Sequence, residues 1–322
     1  MRKLKTVLIT TLVLNLASLL IAQSSIAASD EDQIVGTYRL VRMESRDSEG
    51  NWQPITTFDR VGYITYSDTG YMGVALMPLN RTPFAANPPT PAEAQQALRG
   101  HIAYFGSFTV HEDEKFVVHH RAGQINPGGT PEAKRFYDLE GDRLILTVPT
   151  ANGDKQQATT HVIWERLPDA QLSTEAQKFV GFRQLTHIDR YTERNGSIVT
   201  HGDRNENAAG SYVIYTPTGH MMVHLMQKDR STSAGATPTP EEALAAYRSY
   251  TNYFGPFSVY EDADPPYVVH EQIGQLNPRA PSDQLRLYQI DGDVLRLGPR
   301  PQVRNGEARG THLYWEELPS LR

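Results

Sequence analysis

Apolar and polar residues alternate in short runs through most of this chain, and turn residues separate the runs. The stretch "ITYSDTGYMGVALM" from Ile64 is representative: two β-branched and aromatic segments flank Thr69-Gly70. Gly141-Asp142, Thr218-Gly219, Gly292-Asp293 and Asn305-Gly306 punctuate the chain in the same way further on. Strands joined by tight turns at this spacing predict an antiparallel meander. Two places break the period of two. Thr90 has the chemistry of a helix N-cap, with Pro91 in the first position and Glu93 completing a capping box. Ala94, Ala97, Leu98 and Ile102 then share one helical face. Thr239, Pro240 and Glu242 repeat that start, and shorter helical openings are expected behind Ser29 and Ser173.

The repetition is general. "KFVVHHRAGQINP" from Lys115 returns as "PYVVHEQIGQLNP" from Pro266, which sets His119 against His270 at an offset of 151. Upstream the offset is 149: "TPAEAQQALRGHIAYFGSFTV" from Thr90 answers "TPEEALAAYRSYTNYFGPFSV" from Thr239. "TTHVIWERLP" near the end of the first copy meets "GTHLYWEELP" near the end of the second. A period this long makes each copy a domain rather than a solenoid turn. About eight strands and one helix per copy predict a small closed barrel, because closure removes exposed strand edges. The expected fold is therefore mainly β, with two tandem antiparallel barrels, each with one inserted α-helix. The expected boundaries are residues 28–168 for barrel 1, 169–178 for a short linker and 179–322 for barrel 2.

The first residues follow another pattern. "MRKLK" is a basic opening, an apolar run follows, and Ser25-Ile26-Ala27 offers the small residues of a cleavage site. Residues 1–27 thus read as a secretory signal peptide, placing the mature chain outside the cell or in the periplasm. Losing that segment removes Arg2, Lys3 and Lys5 and takes the formal charge from −6 to −9. Such a balance disfavours nucleic acid, and after cleavage it disfavours an anionic membrane surface as a partner. The chain has no cysteine, which excludes disulfides, thiol nucleophiles and cysteine-based metal sites. No phosphate-binding loop or paired-histidine metal motif occurs, so neither a cofactor nor a metal is expected. The oligomeric state is not encoded in any of these patterns.

Taken in order, the motifs resemble a known family. G-x-Y-x-L is followed by Y-x-x-x-G-x-M, a Thr-Pro-capped helix ending in Y-F-G, V-x-H, R-x-Y-x-L-x-G-D-x-L-x-L and T-H-x-x-W-E. This order is similar to the bacterial and fungal lipocalin-like domain family, and both copies carry it. Single-domain members typically have Pro-Asn-Trp-x-Gly where these copies have "GQINPGG" and "GQLNPRA". The resemblance implies a small barrel with a cavity for a small molecule, and it implies no particular reaction.

Strand alternation then selects candidate residues. In copy 1 these are His119, Gln124, Asn126, Arg135, Tyr137 and His161; in copy 2, His270, Gln275, Asn277, Arg286, Tyr288 and His312. An arginine grips a carboxylate in two places, and a histidine exchanges protons near neutral pH. The set therefore suits a small anionic or carbonyl-bearing ligand. A cofactor-free isomerase, lyase or hydrolase would use His119 or His270 as acid/base and Arg135 or Arg286 as anion anchor. Barrels filled solidly by side chains are the third reading. The copies differ at His120 against Glu271, Tyr71 against His220 and Ala75 against His224. The last two pairs mark a strand face that meets solvent, the other barrel or a ligand.

Overall fold

A computed structural model of the chain describes residues 28–322, except 57–58, 151–152, 154, 156–157, 195–196, 209, 236 and the side chains of 202–205. The leader expectation falls on residues 1–27, outside the described residues. Among those described, no helix is long and apolar enough to cross a membrane.

Barrel 1 opens with a short helix, α1 (Asp30–Ile34), and continues through β1 (Gly36–Arg46), β2 (Trp52–Pro54), β3 (Arg60–Tyr66) and β4 (Tyr71–Pro78). Helix α2 (Pro91–Leu98) precedes β5 (Ile102–His111), β6 (Phe116–Gln124), β7 (Glu132–Glu140), β8 (Arg143–Val148) and β9 (Thr160–Arg166). Neighbouring strands are antiparallel, and β1 pairs with β9 to close eight strands into a barrel, with β2 as an appendage.

Barrel 2 repeats the plan from α3 (Thr174–Gln177), β10 (Gly181–Arg194), β11 (Ser197–Asn205), β12 (Tyr212–Tyr215) and β13 (His220–Met226). Helix α4 (Pro240–Arg248) leads to β14 (Tyr250–Tyr260), β15 (Tyr267–His270), β16 (Gly274–Gln275) and β17 (Gln284–Asp291). The chain ends with β18 (Val294–Gly298), β19 (Gln302–Arg304) and β20 (Glu307–Glu317), and pairing of β10 with β20 closes this barrel.

The caps form as the sequence dictates. Thr90 and Thr239 each accept the N3 backbone N–H while Glu93 and Glu242 return the bond, and Ser29 and Ser173 cap α1 and α3. Ala94, Ala97 and Leu98 are buried; Ile102 instead begins β5 and is exposed.

Each barrel has its own core: Met72, Val74, Leu76 and Trp164 in the first, Met221, Val223, Leu295 and Trp315 in the second. A third core belongs to neither alone. Tyr71, Ala75, Met77 and Phe105 point out of barrel 1 and pack against Phe182, Ile214, Met222 and Phe254 of barrel 2, while α2 lies against α4. Gly73 admits the partner barrel here, since a Cβ at that position would stand 2.3 Å from Ile214 Cδ1. The diverged face of β4 and β13 therefore meets the other barrel.

Candidate functional site

His119 and His270 are completely or almost completely buried, at 0% and 1% exposure. Each ring is held between two tyrosine hydroxyls. Nε2 of His119 lies 2.8 Å from Tyr66 Oη, and its Nδ1 lies 2.8 Å from Tyr104 Oη. His270 repeats this with Tyr215 at 2.8 Å and Tyr253 at 3.0 Å. Burial, helped by Arg286, pushes His270 down to about 3. Burial, with Arg135, Arg121 and His120 adding to it, holds His119 well below the usual histidine range. Both rings are neutral at pH 7, so each donates to one tyrosine oxygen and accepts from the other hydroxyl.

In barrel 2 the tyrosine on one side of this hub faces a cavity of about 350 Å³ at the barrel mouth. Tyr253, Gln272, Gln275, Asn277 and Arg286 line it, with Tyr247 and Tyr250 as further aromatic wall. His270 sits one residue behind, bonded to Tyr253. Arg286 donates to Leu285 O at 2.9 Å and to Gln284 Oε1 at 3.1 Å. Among the described residues no carboxylate pairs with Arg286, nor with Arg248 or Arg279 on the same wall. The volume falls within the roughly 300–1,000 Å³ usual for small-molecule sites. A hollow of about 430 Å³ runs between the closed ends of the two barrels, where Thr216 and Thr218 bond each other. Another, of about 490 Å³, flanks β19. The first is lined by the other hub tyrosines, Tyr66 and Tyr215, and neither holds Gln275, Asn277 and Arg286 or their counterparts in barrel 1.

The structure thus gathers Gln275, Asn277 and Arg286 at one opening, with His270 behind them. In barrel 1, Arg135 faces the lumen beside His119, while Gln124 accepts from Arg121 at 3.0 Å and Asn126 is exposed. Tyr137 and Tyr288 lie at the opposite, closed ends. Tyr137 donates to Asp30 of α1 at 2.6 Å, and Tyr288 packs on Phe179 and bonds Glu175 of α3. Burial and the Glu175 carboxylate push Tyr288 up to about 12. His161 and His312 lie on the outer surface. Trp164 and Trp315 occupy the inward face, so their neighbours along the strand point out. His161 stacks on Trp52 at 3.4 Å, and His312 stacks on Tyr191 at 4.4 Å.

Tyr66, Tyr104, Tyr215, Tyr253 and Gln272 are the residues that sequence reasoning missed. The repeated Tyr-Phe-Gly was the available signal for Tyr104 and Tyr253.

The "GQINP" and "GQLNP" loops have a role of their own. Arg81, on the loop after β4, donates to Leu276 O at 2.8 Å and to Gln275 O in barrel 2. Arg230 returns the contact, donating to Gln124 O and Ile125 O of barrel 1, each at 2.5 Å. The two arginines hold corresponding positions, so the barrels clasp each other about a pseudo-twofold axis.

Two closed eight-stranded antiparallel barrels, each with a polar hub in its lumen, define a tandem β-barrel protein. The sequence pattern of the lipocalin-like domain family matches residues 35–167 and 190–318, so the chain belongs to that family. The fold is compatible with small-molecule binding. A search of curated proteins finds no significant match.

Proposed function

We propose that the mature chain is an exported protein that binds a small organic anion in the mouth of barrel 2. One observation carries the reading: the Arg286 guanidinium faces a cavity of about 350 Å³ with aromatic walls and has no carboxylate partner among the described residues. A guanidinium in such surroundings suits a carboxylate, which it engages with two parallel hydrogen bonds. Tyr247, Tyr250 and Tyr253 suit a flat or unsaturated body behind that head. Calorimetric titration of residues 28–322 with aryl carboxylates such as 4-hydroxycinnamate tests the proposal. Binding that weakens at least tenfold in Arg286→Ala is expected; equal affinity in that variant would remove the site. Export rests on the basic, apolar and small-residue order of residues 1–27. Mass spectrometry of protein recovered outside the cytoplasm should find a chain starting near Ala28.

A second reading, cofactor-free isomerase, lyase or hydrolase chemistry, is favoured by the position of Tyr253. Its hydroxyl joins the cavity wall to the neutral His270 ring. On this reading Tyr253 exchanges the proton with substrate and His270 positions it. Tyr253→Phe would then abolish turnover while retaining most of the binding.

A further inference from the structure

The two mouths have the same strands and different residues. Where barrel 2 has Thr251, Gln272, Arg279 and Gln284, barrel 1 has Ile102, Arg121, Gly128 and Ala133. The Arg121 guanidinium lies 4.6 Å from the centroid of the Tyr104 ring, the counterpart of Tyr253. It donates to Gln124 Oε1 at 3.0 Å and to Thr130 O at 3.2 Å, tying β6 to the loop across the opening. That loop closes in on Gln124: a Cβ on Gly129 would stand 2.7 Å from Gln124 Oε1. In barrel 2 Gln272 lines the opening instead, shorter and uncharged, with its oxygen accepting from Ser282 N at 3.4 Å.

We propose that Arg121 is a built-in plug that closes barrel 1, so that the chain takes one organic anion, in barrel 2, rather than one in each barrel. The inference rests on the binding reading above and adds a stoichiometry and a residue that sets it. The plug is a cation stacked on an aromatic face, an arrangement that arginine favours over lysine. It fills the space over the tyrosine that a ligand body uses in the other copy. Two guanidiniums, Arg121 and Arg135, then stand near one another beside His119. Such crowding is tolerable because Arg121 keeps two oxygen acceptors.

Exchange variants test the idea, because charge and closure predict opposite results. Gln272→Arg adds a cation to an anion site, so attraction alone would tighten binding of 4-hydroxycinnamate. A plug in that position should weaken it at least thirtyfold, and the ligand-free crystal structure should show the new guanidinium over the Tyr253 ring with the cavity filled. Arg121→Gln should open a cavity beside Tyr104 and raise the stoichiometry from one to two. If Arg121→Gln fails to fold, Gln272→Arg alone decides. Unchanged or tighter binding in Gln272→Arg, with the cavity still open, would overturn the proposal, as would two sites in the unaltered protein. If the crystal structures show the exchange but the unaltered protein binds no carboxylate, the plug stands and the binding reading falls.

Discussion

A neutral imidazole with a hydroxyl on each nitrogen is a bridge, and its energetics follow from that. Replacing His270 by Gln leaves at least one of Tyr215 and Tyr253 without its partner in a buried lumen. The expected loss is about 1–3 kcal/mol of stability, read by chemical denaturation. Acid should act on four residues together. Burial pushes His101 down to about 4, and His224 and His270 to about 3, while His119 is also held low. A histidine whose folded pKa lies below its unfolded value of about 6.5 opposes protonation only in the folded state. Its contribution is therefore complete above about pH 6.5. It is lost as pH falls from there towards the folded value, at up to about 1.4 kcal/mol per pH unit for each residue. Melting temperature should drop steeply between pH 6.5 and 4.5. His224→Ala, which installs the residue of the first copy, should make the drop shallower by one proton's worth. An unchanged slope in that variant would mean that His224 does not titrate as a buried group.

Among the elements, the strand after the inserted helix shows why a short motif recurs. Gly106 and Gly255 end the two Tyr-Phe-Gly triplets, and a Cβ at either would stand 1.9 Å from a backbone carbonyl, that of His120 or Glu271. The register of β5 against β6 shifts beside Gly106. Alanine at either position should cost about 1–3 kcal/mol, because backbone rather than a flexible side chain must yield. Denaturant midpoints of Gly106→Ala and Gly255→Ala check this.

The elements also show what could be read in advance. The helix caps were legible because Thr-Pro-x-Glu is local chemistry, and the duplication because two copies spell the same strands. The partner of each strand's outer face was not. All eight residues of β4 are buried, as are all four of β12. A strand buried on both faces loses the alternation that marks inside from outside. His161 is a candidate by residue type, yet it stands three positions from Trp164 on β9 and so on the opposite face; with Trp164 in the core, His161 faces outward. The tyrosine hub stayed hidden because an inward tyrosine on an apolar strand resembles packing until its neighbour across the barrel is known.

For the molecule as a whole, the third core makes the pair one body. Separate expression of residues 28–171 and 172–322 would expose Phe105, Ile214 and Phe254, large apolar groups now buried between the barrels. Each half alone should self-associate or aggregate, and the two co-expressed should copurify, as size-exclusion chromatography would show. Arg81→Ala should loosen the loop that carries Gln275 and Asn277 and weaken carboxylate binding in barrel 2, although Arg81 does not line the cavity.

The two clasping arginines share one further property. Both hold main-chain oxygens, and an oxygen of that kind is present whatever residue occupies the position. Evolution can therefore rewrite the side chains of either received loop without unlocking the joint. A duplicated protein fastened in this way can let one half specialise and the other fall silent while the two still travel as a single piece.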